Sequence, residues 1–276
     1  MKKIRIFVCC HKPYDGYSDE VYTPLHVGRA ISTCTDEMKN MIGDDTGDNI
    51  SEKNPYYSEA TGIYWIWKNV HVVEYVGLIH YRRDFAIRFT EDNIDNFFKD
   101  GTEVIMMKNY KLLHRWYTAF MYSQIEDLAI LKGAIEKVCP DYMRTFDMFM
   151  NDYYDYPYNM VICKKELYDK YAKWMFDICF EMEKYVIPSG YSNSRRCFGY
   201  IAELLTPIYF LHNNHKIKNV KILREGVVAK TSFIIRFCAF ILHNTVYRFE
   251  KGKPYSIPDS VYRGLKSDGI VFPFKH

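Results

Sequence analysis

The stretch from Tyr75 to Phe85, Tyr-Val-Gly-Leu-Ile-His-Tyr-Arg-Arg-Asp-Phe, constrains the fold of this chain more than any other. Val76 to Ile79 is an apolar run of buried-strand length. With no turn residue between, it passes into His80, Tyr81, Arg82, Arg83 and Asp84. A buried strand that ends in two arginines delivers two guanidinium groups to one edge of a sheet. In open α/β sheets ligands bind at that edge, beyond the carboxyl ends of the strands. Guanidinium suits planar, bidentate capture of phosphate. The strand end therefore reads as an anion site, for a diphosphate, or else as a solvated end held by structural ion pairs.

The flanking sequence fits an α/β domain. Ile4 to Cys10 reads as a first buried strand that ends at His11, and His11 is either a ligand contact or structural. There is no GxGxxG and no GxxxxGK[ST], so neither a dinucleotide fingerprint nor a P-loop is present. Gly43 to Asn54 is a loop by composition, and Asp44, Asp45 and Asp48 crowd it without the ligand ladder of a calcium loop. Asn54 and Pro55 mark a helix start, and the helix is expected to run to about Lys68. Glu59, Ile63 and Trp67 fall on one of its faces, with Tyr57, Tyr64 and Lys68 on another. Further strands are expected at Glu103 to Met107 and Tyr158 to Cys163, and an amphipathic helix at Lys165 to Lys184. Arg195 to Leu211 reads as a last core helix, on which Arg196, Gly199 and Glu203 share one stripe. A glycine flanked by these two charges makes a notch where a ligand could reach the backbone, or the charges form a plain surface pair.

Composition removes several classes. The 276 residues are 48% hydrophobic, with only 14 Gly and 10 Pro, so the chain is globular. Its eight cysteines include no CxxC and no zinc spacing. The start is expected to carry no signal peptide, and no apolar run is long enough to span a bilayer. From Lys216 onward there are 12 Lys and Arg against 4 Asp and Glu, so the positive charge is concentrated in the tail. Lys230 to Glu250 repeats Phe233, Phe237, Phe240 and Ile241 at helical spacing beside Lys230, Arg236 and Arg248. That pattern is a membrane-surface helix or a helix docked on the body. Nucleic acid is not an expected partner, because no RNP, helix-turn-helix or zinc-finger pattern accompanies the basic tail.

Three stretches together resemble a known family: Gly43 to Ser51 with Asn54 to Glu59, Gly77 to Arg83, and Arg196 to Glu203. They are similar, in order over roughly residues 3 to 225, to the bacterial capsular and exopolysaccharide glycosyltransferases known by the domain-of-unknown-function label 4422. The resemblance implies a GT-A-like fold: a three-layer α/β/α domain with a mostly parallel central sheet over residues 1–225. Residues 226–276 would then be a basic amphipathic helical appendage. It implies a hexosyltransferase that uses a UDP-sugar, with UDP-galactofuranose as a candidate donor, and a lipid-linked glycan acceptor. The family usually has an aromatic after the paired arginines, where this chain has Asp84.

The donor is then expected to meet His11, Asp44, Asp45, Asn49, Tyr57, Glu59, Tyr64, His80, Tyr81, Arg82, Arg83, Arg196 and Gly199. Glu203 is the first candidate for general base, with Asp155 and Asp84 behind it. Cations at the strand end would replace the metal of an Asp-x-Asp site, because both stabilise a departing diphosphate. The Asp44-Asp45 loop keeps a manganese or magnesium alternative. The enzyme is expected in the cytoplasm, peripheral at the inner face of the plasma membrane. A non-catalytic nucleotide-sugar or glycan-binding protein of the same fold is the alternative.

Overall fold

A computed structural model of the chain describes residues 2–111, 115–224, 233–250 and 253–271. Its centre is a seven-stranded sheet. The strands, in chain order, are β1 (Lys2–Cys10), β2 (Tyr22–His26), β3 (Ile42–Gly43), β4 (Val73–His80), β5 (Arg83–Phe85), β6 (Val104–Met107), β7 (Tyr110–Lys111), β8 (Tyr154–Asp155), β9 (Val161–Lys164), β10 (Ile217–Val220) and β11 (Ile222–Arg224). The large sheet runs β10-β6-β9-β4-β1-β2-β3, and β5–β11 and β7–β8 form two small antiparallel ribbons. All pairings in the large sheet are parallel except those of β9, which lies antiparallel between β4 and β6.

Strand alternation sorts the side chains of the sheet into two cores. Phe7, Cys9, Val76 and Leu78 face one side, together with the helices Ala60–Asn69, Ile125–Val138, Lys165–Met182 and Cys197–His212. Ile4, Ile6, Val8, Tyr75 and Ile79 face the other, under Phe85, Phe89 and the short helix Ile94–Phe98. Burial on both faces explains why β1 and β4 read as apolar runs rather than alternating ones. The same parity puts His80 on the side of the four long helices and Tyr81 on the opposite side.

The order of the sheet reverses at β1. The chain moves outward from β1 to β2 and β3, then returns to add β4 on the other side of β1. His11 follows β1, and Tyr81-Arg82-Arg83 follows β4. These carboxyl ends are neighbours, since Cys9 pairs with His80. The reversal leaves a crevice at that edge.

The expected helix from Asn54 to Lys68 is two helices, Asn54–Tyr57 and Ala60–Asn69, broken at Ser58. Ser58 has φ of 50°, a left-handed value that costs a residue with a Cβ. Asn54 does not cap the first helix with its side chain. Its Nδ2 instead donates to the Ser58 carbonyl at 2.8 Å and to Thr61 Oγ1 at 3.1 Å, which fixes the break. The break seats against Gly199. A Cβ at Gly199 would lie 3.0 Å from both Cβ and Oγ of Ser58 and 3.3 Å from the Tyr57 carbonyl oxygen. What approaches the backbone at this glycine is therefore the protein's own turn, which corrects the expectation of a ligand there.

The tail divides in two. The helix Phe233–Glu250 exposes Phe240, Ile241, Leu242 and Phe249. The segment after it returns to the body: Tyr255 donates its backbone N–H to Asn151 Oδ1 at 2.7 Å, its ring meets Trp116, and Ile257 and Leu265 are buried. Lys230 lies outside the described residues.

The packing at Gly199 yields a direct test. Gly199→Ala should lower the stability by about 1–3 kcal/mol through overpacking, read as an earlier midpoint in a urea melt. Gly199→Ala unfolding like the parent would show that the Ser58 turn yields without cost.

Candidate functional site

The crevice opens into a cavity of about 290 Å³ whose wall includes Glu59, His80, Arg82, Arg83, Arg115, Tyr158, Arg196, Tyr200 and Glu203. Among the described residues, four arginines against two carboxylates give it an excess of positive charge. Beside it lies a groove of about 330 Å³ with His11, Asn54, Ser58 and Arg195. Glu59, Arg82 and Arg196 line both, so they form the ridge between the two spaces. The three stretches that carried the resemblance thus each contribute to one place: Glu59 after the helix break, His80 at the end of β4 with Arg82 and Arg83 beyond it, and Arg196 at the N-cap of the helix Cys197–His212 with Glu203 inside it.

Each cation is held by a nearby group. Arg83 lies 4.0 Å over the Tyr158 ring, and Arg82 lies 5.1 Å over the Tyr81 ring. Arg196 donates from Nε to Ser58 Oγ at 2.7 Å and places Nη2 3.6 Å from Glu59 Oε2. Arg115 is fully buried, with Nε donating to the Phe149 carbonyl at 2.7 Å and the guanidinium over the Phe149 ring. His11 sits at the mouth, edge-on to Tyr81.

Tyr158 organises the far wall. It has φ of 64°, a strained value for an aromatic residue. In that conformation its backbone N–H donates to Glu203 Oε2 at 3.3 Å while its ring underlies Arg83. The next residue, Asn159, is buried and accepts from His80 Nε2 through Oδ1 at 2.8 Å. An amide oxygen only accepts, so the hydrogen of His80 is on Nε2 and Nδ1 carries a lone pair.

Burial favours the neutral form of His80 and lowers its pKa below the ordinary histidine value, against the pull of Glu59 and Asn159. Burial works the other way on Glu59, but His80, once protonated in the acid range where the carboxyl titrates, and the Arg196 guanidinium outweigh it and hold the carboxyl below its usual range. At neutral pH the charge partner of Glu59 is therefore Arg196, and His80 is a neutral neighbour.

Other expected donor contacts have structural roles. Asp44 is fully buried and accepts from the backbone N–H of Gly28 at 2.9 Å and of Arg29 at 3.2 Å, and from Ser51 Oγ. That commits it to holding the loop. Asp45 faces Arg29 at 3.8 Å. The Asn49 side chain bonds the Gly47 carbonyl and the Ser51 N–H. Tyr57 stacks on Phe198 and donates to Glu183, and Tyr64 donates to Asp48. None of these five lines the cavity or the groove. Among the described residues no group of three His, Cys, Asp or Glu side chains is placed to hold a metal ion.

Of the candidate bases, Glu203 is in the cavity. Asp84 is not: in β5 successive side chains point to opposite faces, and Asp84 lines the neighbouring depression with Tyr17 and Arg88. Burial raises its pKa. Asp155 pairs with Tyr110 across the β7–β8 ribbon, and its side chain lies outside the described residues. Arg115, Tyr122, Tyr156 and Tyr200 were not expected from sequence. The one local signal was the Tyr156-Pro157-Tyr158 turn at the entrance to β9.

The family model described as Domain of unknown function (DUF4422) matches residues 5–214. The chain is similar to a solved apo structure of WbbM, a bifunctional glycosyltransferase, with a TM-score of 0.69 and 26% sequence identity. The similarity covers 82% of this chain and 46% of that one, so this chain spans less than half the length of the solved protein. No curated protein matches the sequence.

Proposed function

Because the chain belongs to the DUF4422 family, we propose that it is a glycosyltransferase that moves a sugar from a UDP-sugar to a glycan acceptor. The carrying observation is the ridge of Arg82 and Arg196 at the sheet reversal, with Arg83 and Arg115 in the same wall. Guanidinium groups at this edge bind a diphosphate and stabilise it as a leaving group without proton transfer. The chemistry asks nothing further of a metal, so the reaction is metal-independent in this reading. The similarity to a solved glycosyltransferase supports the class, and the resemblance of the motifs favours UDP-galactofuranose as donor and a lipid-linked capsular or exopolysaccharide acceptor.

In a direct displacement the acceptor oxygen attacks the anomeric carbon, the bond to the β-phosphate breaks, and UDP leaves with the electron pair. The acceptor proton must go to a base. Glu203 is the carboxylate for that role: it is in the cavity, and the Tyr158 N–H fixes one oxygen.

A lipid-linked acceptor gives the tail its use. Among the described residues no helix is long and apolar enough to cross a membrane. The helix Phe233–Glu250 instead presents Phe240, Ile241, Leu242 and Phe249 outward beside the exposed Arg248. We infer that it lies on an anionic bilayer, at the inner face of the plasma membrane.

Three measurements test the proposal. Arg82→Ala and Arg196→Ala should each weaken UDP binding about tenfold or more in calorimetry, since charge-assisted hydrogen bonds contribute roughly 1.5–3 kcal/mol, and EDTA should change nothing. Wild-type affinity in both variants, or loss of binding with EDTA, removes the arginine site. Glu203→Gln should lower turnover about 10²–10⁴-fold with UDP affinity retained; a small rate effect leaves Glu203 structural, and UDP binding with no turnover in the parent favours the non-catalytic reading. For the tail, Phe240→Glu with Ile241→Glu should abolish sedimentation with phosphatidylglycerol vesicles at low salt while UDP binding persists. Removing the whole tail is a poorer test, because Leu265 and Tyr255 belong to the body. Parent protein that stays in the supernatant refutes the membrane role.

A further inference from the structure

Three facts about Glu59 combine. It lines both the cavity and the groove, and its side chain is 17% exposed. Its two nearest side-chain partners are Arg196 Nη2, 3.6 Å from Oε2, and His80 Nδ1, 3.7 Å from Oε1. Both separations exceed a hydrogen bond. A carboxylate this enclosed is ordinarily saturated with donors; this one has its own backbone N–H beside it and keeps further acceptor capacity in a cavity wall.

The neighbours define what would fill that capacity. His80 is 4% exposed, and its Nδ1 has no hydrogen-bond partner among the described residues. With its hydrogen on Nε2 toward Asn159, His80 offers Glu59 a lone pair and not a donor. Arg82, Arg83 and Arg196 surround the place, so a cationic ligand group is repelled. The group that fits is neutral, donates to a carboxylate and accepts from a guanidinium. A hydroxyl does both, and Arg196 and Glu59 together supply both partners.

We propose that Glu59 and Arg196 read a sugar hydroxyl of the nucleotide sugar, the hydroxyl donating to the Glu59 carboxylate and accepting from the Arg196 guanidinium. This rests on the nucleotide-sugar reading and adds the residue that discriminates among sugars. Arg196 is also a diphosphate anchor in that reading, and a diphosphate has a sugar on each side, the ribose and the transferred sugar. Both carry hydroxyls. A carboxylate that stays ionised makes the stronger, charge-assisted bond, and the lowered pKa of Glu59 keeps it in that form at neutral pH.

The test uses ratios of affinities. UDP, 2′,3′-dideoxyuridine diphosphate and UDP-galactofuranose are titrated by calorimetry into the parent, Glu59→Gln and Glu59→Asp. If the transferred sugar is read, Glu59→Gln loses about tenfold or more for UDP-galactofuranose beyond any loss it shows for UDP. If the ribose is read, Glu59→Gln loses about that factor for UDP and little for the dideoxy analogue. Either result supports the proposal and names the sugar, and Glu59→Asp, which keeps the charge, should recover part of the loss. Equal weakening of all three probes means that Glu59 acts only through Arg196 on the diphosphate, and overturns the proposal. Unchanged ratios overturn it as well. A parent that binds none of the probes refutes the nucleotide-sugar reading itself, and this inference falls with it.

Discussion

The contact between the Ser58 turn and Gly199 is what the site depends on. It joins two segments far apart in sequence, and it does so by geometry that leaves little freedom. Ser58 adopts a left-handed φ because the helix must break there. The break turns Glu59 out of line with the residues before it and starts a new helix at Ala60. The turn packs closely on Gly199, where a Cβ would stand 3.0 Å from the Ser58 side chain. Arg196, the N-cap residue of the helix that carries Gly199, then reaches Ser58 Oγ and the vicinity of Glu59. A cost of backbone strain at one residue fixes the relative position of a guanidinium and a carboxylate.

Electrostatics follow from this placement. Four guanidinium groups in one wall repel one another, and each is held by a fixed partner: a ring for Arg82 and Arg83, a hydroxyl for Arg196, a carbonyl and a ring for Arg115. These partners hold position without neutralising charge. Among the described residues, Glu59 and Glu203 bring the negative charge of the wall. The net field therefore remains positive, as a cleft that binds an anion and releases it needs. A wall closed by salt bridges would have no capacity left for a ligand.

Much of this was legible in the sequence. The buried run before His80-Tyr81-Arg82-Arg83 gave β4 and the position of the arginines, because the two-sided burial of a central strand leaves a plain apolar signature. The shared stripe of Arg196, Gly199 and Glu203 was visible as helical spacing, but its meaning was not. Helical periodicity says which residues share a face and nothing about what covers it, so the notch read as a ligand approach was filled by Ser58. The helix break itself carried no Gly or Pro at the turning residue, and the pattern of apolar residues ran through it. Asp44 misled for a related reason. An acidic loop looks the same in sequence whether its oxygens face a metal or the backbone amides of Gly28 and Arg29.

Arg115 shows where sequence reasoning stops. Its own segment reads as an ordinary aromatic helix, and an isolated arginine there has no spacing to mark it. Only the fold brings it beneath the loop before β9, where burial makes it part of the cavity. The antiparallel strand is the reason. β9 enters the sheet from the edge at which β4 and β1 leave it, so the Tyr156 to Asn159 turn lies over the carboxyl ends of its neighbours. A wholly parallel sheet would have placed that turn at the opposite edge. The one reversed strand thus supplies the strained Tyr158, which holds both Glu203 and Arg83, and closes the cavity over the arginines that the parallel strands deliver.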